Sequence, residues 1–120
     1  GSTTVVTLTA RDAAGNSLVT GGATVTFSRT GGVSTGNFSA VTDNGNGTYS
    51  AIFTGVLAGS ATTITGTVGG SAVTTTLPTI TVTPGVISGA NSIISVSSGT
   101  VLSGSSVVAT LQARDAAGNN

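Results

Sequence analysis

The chain repeats its own opening. Residues 4–16 read TVVTLTARDAAGN and residues 107–119 read VVATLQARDAAGN. Arg11 and Arg114 lie 103 positions apart, and the same offset carries Gly1 onto Gly104 and Asn16 onto Asn119. Of the 17 positions that can be compared at this offset, 12 are identical. A period of that length is a domain-sized unit, so 120 residues read as one repeat and the start of the next, a window onto a tandem array.

Composition then narrows the fold. Charged residues make up 5% of the chain, three Arg and three Asp, with net charge zero. With no Lys or Glu, the chain cannot dress the outer face of amphipathic helices. Thr and Val favour strands, and 19 Gly with Asn and Asp supply turns. Mean hydropathy is +0.44, yet Thr and Ser interrupt every apolar run well short of the ~18 residues of a membrane span. The expected class is all-β.

The same composition excludes several functions. There is no basic footprint for nucleic acid. His and Cys are absent, which removes disulfides and thiolate metal sites. Ser and Thr abound but have no base to activate them, and the only titrating carboxylates are Asp12, Asp43 and Asp115. Asp12 and Asp115 are copies of one position, so no acid and base pair can be assembled. The expectation is no catalysis, no small-molecule substrate and no cofactor.

Taken in order, Thr3 to Arg11 alternates as a strand, with Val6, Leu8 and Ala10 on one face. The second copy keeps that parity apolar, with Ala109, Leu111 and Ala113. Asp12 to Asn16 reads as a tight turn in which Asp12 accepts backbone N–H groups and Gly15 takes the left-handed conformation. Ala23 to Ser28 is a strand with Ala23, Val25 and Phe27 on one face, and Thr30 to Gly36 is a loop or weak edge. Phe38 to Thr42 is a short strand. Asp43-Asn-Gly-Asn-Gly-Thr-Tyr49 carries two successive Asn-Gly hairpin signals, with Gly47 closing the second. Tyr49, Ala51 and Phe53 alternate into the core, Tyr49 as a packing anchor with a satisfied hydroxyl. Thr62 to Val68 is a strand, Gly69-Gly70 a two-residue hairpin connection, and Ser71 to Val82 a long last strand interrupted at Pro78. Gly85 to Asn91 is the linker candidate, followed by a short strand over Ile93 to Val96. About seven short strands with turns between them and no helix describe an antiparallel β-sandwich.

These residues resemble bacterial immunoglobulin-like domains of the invasin and intimin type, which occur as tandem arrays in surface adhesins. The resemblance rests on L-x-A-R-D-A-A-G-N, here Leu8 to Asn16 and Leu111 to Asn119, and on the strand Ala23 to Phe27. The hairpin from Asp43 to Tyr49 is also similar to that of filamin-type repeats. The resemblance implies an immunoglobulin-like domain over 1–86 that lacks its first strand. It makes 87–120 a linker and the first two strands of the next repeat.

It also implies a non-catalytic stalk or fibre that serves adhesion at the bacterial cell surface, with neighbouring copies of the repeat as partners. The alternative is a self-assembling filament, sheath or surface layer, in which an exposed edge accepts Ile93, Ile94 and Val96 from a neighbour by strand addition. Thr-x-Thr pairs at Thr7/Thr9, Thr24/Thr26, Thr65/Thr67 and Thr79/Thr81/Thr83 could match a sugar or crystalline surface, but Thr is also the ordinary outward residue of a strand. Calcium wants six or more oxygens, and the turn at Asp12 and Asn16 offers two obvious side chains, so a structural turn is preferred. Calcium at the joints between repeats is the one metal role left as an alternative.

Overall fold

The alternation in Thr3 to Arg11 becomes strand β1 (Thr3–Thr9), with Val6 and Ala10 buried and Val5, Thr7 and Thr9 exposed. The computed structural model describes residues 1–120, has no helix, and divides into two compact units, Gly1–Thr83 and Pro84–Asn120.

The first unit is built from two antiparallel sheets. In one, β1 pairs with β5 (Thr48–Gly55), whose other side carries β3 (Gly36–Phe38) and β4 (Thr42–Asp43) in succession. In the other, β2 (Val25–Thr30) pairs with β6 (Thr62–Val68), whose far side carries β7 (Ser71–Ala72) and β8 (Thr79–Ile80). The architecture is an immunoglobulin-like sandwich. Its core joins the sheets: Val6 and Phe53 from the first pack with Ile64 from the second, and Ala10 and Tyr49 pack with Val25. Phe38 stands edge-on to Phe53, ring centres 5.1 Å apart, and stacks on Phe27 of the opposite sheet at 6.1 Å. Such ring pairs add about 0.5–1.5 kcal/mol each beyond their buried area.

Two turns follow the residue chemistry directly. Gly69 and Gly70 have φ of 57° and 85° and connect paired Val68 and Ser71. Two left-handed residues in a two-residue loop match the right-handed twist of the flanking strands. The Asn-Gly pairs produce a wider loop, with Asp43 paired to Tyr49, the Asn44 N–H donating to the Thr48 C=O, and Gly45 and Gly47 at φ 73° and 79°.

Two expectations are corrected. The single strand expected over Phe38 to Thr42 is split, because the Ser39 hydroxyl takes a place in the ladder and accepts the Ile52 N–H at 2.9 Å. The long strand expected over Ser71 to Val82 survives only as β7 and β8. The Val73 N–H bonds to Gly66 and the Pro78 C=O accepts from Ile64, so the residues between them bow away from β6. Pro78 has no N–H with which to continue the ladder.

In the second unit, β9 (Ile93–Val96) pairs antiparallel with β10 (Ala109–Gln112). The positions read as inward-facing on β10, Ala109 and Leu111, are exposed, because no second sheet covers them within this unit. Residues 85–91, the linker candidate, lie at the start of this unit and are hydrogen-bonded within it.

Candidate interaction surface

The repeated turn can be compared with itself. In the first copy, Asp12 Oδ1 accepts the N–H groups of Ala14 (3.0 Å) and Asn16 (2.8 Å), and Oδ2 accepts the Asn16 side-chain amide (3.0 Å). Gly15, at φ 87°, lets the chain close. Asp12 and Asn16 are both exposed. The Asn16 side-chain amide first, and then the Asn16 N–H, hold the Asp12 carboxyl below its ordinary value.

The second copy has the same internal bonds and more. Asp115 Oδ1 accepts Ala117 N–H (2.9 Å) and Asn119 N–H (2.8 Å), and Oδ2 accepts the Asn119 side-chain amide (2.9 Å) and the Gly85 N–H (2.8 Å). The Asn91 side chain donates to the carbonyls of Asp115 and Ala116. The Ser88 N–H donates to the Arg114 C=O, and the Ser92 hydroxyl accepts the Arg114 N–H. Residues 85–92 thus clasp the turn, and Asp115 and Asn119 become buried at 7% exposure each. With the Gly85 N–H as the largest cause and the Asn119 side chain next, the Asp115 carboxyl is pushed down to about 2.

The hairpin aspartate plays a related part. Asp43 Oδ1 accepts the Gly45 N–H and Oδ2 accepts the Gly22 N–H, tying the 21–22 segment to the loop. Any side chain at Gly47 would meet the Leu18 C=O. The Tyr49 hydroxyl accepts the Ala23 N–H at 3.0 Å while its ring is buried. Phe27, Tyr49 and Phe53 therefore lie in the core, Asp12, Gly15, Asn16 and Gly47 in turns, and Asp43 at the end of β4 where the hairpin loop begins. Ile93, Ile94 and Val96 lie in β9, paired with β10 of their own unit. The Thr rows on β2 and β6 bond across the sheet, Thr26 to Thr67 at 2.6 Å and Ser28 to Thr65 at 3.2 Å. No three His, Cys, Asp or Glu side chains come together.

The clasp over 85–92 and buried Ser34 are not legible in the sequence. The Ser34 hydroxyl donates to the Gly59 C=O and accepts the Val82 N–H, both at 2.9 Å. In a chain so rich in Ser, nothing in the local sequence marks this one.

One edge of the first sheet is open. β1 has β5 on one side and no strand on the other. Beside it runs an apolar groove lined by Val6, Leu8, Phe27, Ile64, Pro78 and Ile80.

Known proteins place this arrangement. The family described as "Invasin, domain 3" matches residues 1–85. The crystal structure of invasin, described as a bacterial integrin-binding protein, is similar at 29% identity with TM-score 0.69, over 96% of this chain and 23% of that one. The structure of FdeC, an Escherichia coli adhesin, is similar at 30% identity with TM-score 0.64, over 98% of this chain and 37% of that one. This chain spans well under half the length of either. No curated protein sequence matches it. The matched residues hold the whole first sandwich together with the Asp12 turn, and the chain belongs to the invasin domain 3 family of bacterial immunoglobulin-like adhesin domains.

Proposed function

We propose that this chain is a non-catalytic structural repeat of an extracellular bacterial surface protein, one of a series of sandwiches forming an extended stalk or fibre for adhesion. The observation that carries this reading is the second copy of β1 and its turn, displaced by 103 residues and clasped by the segment between the copies. Residues 85–92 are hydrogen-bonded into their own unit rather than free, so little unbonded chain separates one repeat from the next. The mass of the native polypeptide under denaturing conditions tests this. A mass several times that of 120 residues supports an array in one chain. A mass near that of 120 residues, from material that sediments as large assemblies, replaces the stalk with subunits joined by strand exchange, a reading that the open edge of β1 favours.

The clasp works in this reading without calcium. Both oxygens of Asp115 are taken up by four N–H donors, which leaves the carboxylate poorly placed to bind a cation. Adding a chelator is expected to move the thermal midpoint by less than about 1 °C, against the roughly 4–8 °C that follows each kcal/mol lost in a domain of this size. A fall of several degrees would assign calcium to the joint.

A further inference from the structure

We propose that Asn46 is a self-modifying site: the backbone nitrogen of Gly47 attacks the Asn46 side-chain amide, expels ammonia, and leaves aspartate or isoaspartate in the hairpin loop. The reaction consumes only water, and it stands apart from the stalk reading.

The loop holds two Asn-Gly pairs, Asn44-Gly45 and Asn46-Gly47, and both asparagines are exposed. Glycine has no side chain to shield its nitrogen in either pair. The hydrogen bonds separate them. Asn46 Oδ1 accepts the Thr48 N–H at 3.1 Å and the Thr48 hydroxyl at 2.7 Å. Its side-chain NH2 has no protein partner, and no protein group accepts the Gly47 N–H. Asn44 shows the reverse arrangement. Its side-chain NH2 donates to the Thr48 hydroxyl at 3.0 Å and reaches Ser50 Oγ at 3.5 Å. The Gly45 N–H donates to Asp43 Oδ1 at 2.8 Å. The Thr48 hydroxyl thus accepts from Asn44 and donates to Asn46.

The chemistry follows from these bonds. Base removes the Gly47 amide proton, and the nitrogen bonds to Asn46 Cγ. Negative charge develops on Oδ1, where the two Thr48 donors are already aimed. Donors preorganised at a developing oxyanion lower the barrier. The Cγ–Nδ2 bond then breaks, and Nδ2 takes a proton from water and leaves as ammonia. Water opens the cyclic imide at either carbonyl, giving aspartate or isoaspartate. At Asn44, an anion on the Gly45 nitrogen would lie against the Asp43 carboxylate, and a like charge disfavours it. The Asn44 side-chain oxygen has no donor to receive charge, and its NH2 is held in place.

Conversion adds one carboxylate to a chain whose net charge is zero. In the isoaspartate, the main chain also gains one atom ahead of Gly47. That glycine is buried, and its C=O accepts the Ala10 N–H. A side chain there would already meet the Leu18 C=O, so the added atom works against the bond that joins the hairpin to the end of β1.

Mass spectrometry of the whole chain, aged in mildly alkaline buffer, tests this. Fragmentation locates the new acid at 44 or 46, and an isoaspartyl methyltransferase labels the isoaspartate. Asn46 is expected to convert about ten-fold faster than Asn44 or more, the factor that one or two hydrogen bonds represent. In urea that unfolds the chain, the two sites should convert at similar rates. Thr48→Val should slow Asn46 by about three- to ten-fold and speed Asn44, which loses its partner. Thr48→Ser, which keeps the hydroxyl, should retain the preference for Asn46. Equal conversion of Asn44 and Asn46 in the folded chain would overturn the proposal. So would a preference that persists in urea, or one that Thr48→Val leaves unchanged.

Discussion

Phe53→Ala unfolds the first unit or brings it to the edge of unfolding. Phe53 is 1% exposed, sits on the central strand of its sheet, and touches Val6, Ile64 and the edge of Phe38. The space around it is already taken: a methyl group added at Gly36 would lie 2.3 Å from its ring. Truncating a phenylalanine in such a site costs about 3–5 kcal/mol, from lost transfer energy and from a cavity that surrounding strands fill only partly. A whole domain is stable by only about 5–15 kcal/mol. Urea unfolding should show the midpoint falling by half or more, or no folded baseline at all. Ile52→Ala, one residue earlier and facing water at 48% exposure, is the control and should cost under about 1 kcal/mol. If Phe53→Ala costs no more than the control, the two sheets do not meet where Phe53 places them.

That core is largely legible in the amino-acid sequence, for a physical reason. Strands with one covered face must alternate, and Val6-Leu8-Ala10 and Tyr49-Ala51-Phe53 do so over enough residues to fix both strand and face. The Asp-x-x-Gly-Asn turn is legible because its bonds close within five residues. What stays hidden depends on distant partners. The 85–92 stretch, GVISGANS, looks like a linker by composition, and its bonds reach 22 to 30 residues along the chain. The break in the last strand is half visible, since Pro78 announces an interruption but not how many residues leave the ladder between Val73 and Pro78. The split at Ser39 depends on a hydroxyl replacing a backbone group, which no periodicity records.

The second unit should respond to a polar substitution as the first responds to an apolar one. Its one sheet is the two-stranded pair of β9 and β10, and such a pair is marginal in water by itself. Ile94, Val96 and Leu111 are exposed, so little apolar burial holds it. Its buried residues are Asp115 and Asn119, at the centre of the clasp. Asp115→Ala leaves the N–H groups of Gly85, Ala117 and Asn119 and the Asn119 side-chain amide without their acceptor. The expected outcome is loss of slow amide exchange at Gly85, Ser88 and Asn119, with the 85–92 segment released. Asp12→Ala removes a similar carboxylate from a turn that no such segment clasps, and the first unit, which has its own apolar core, should keep its fold. Acid should act on the clasp in the same direction. A carboxyl held near 2 when folded, against about 3.9 when unfolded, stabilises the folded form above about pH 4, and this contribution fades as pH falls from about 4 toward 2. NMR of Gly85 and Asn119 through that range should show the clasp opening on acidification and closing again on return. A Gly85 N–H that remains protected in Asp115→Ala would mean that the β9 and β10 ladder, rather than the carboxylate, holds the segment in place.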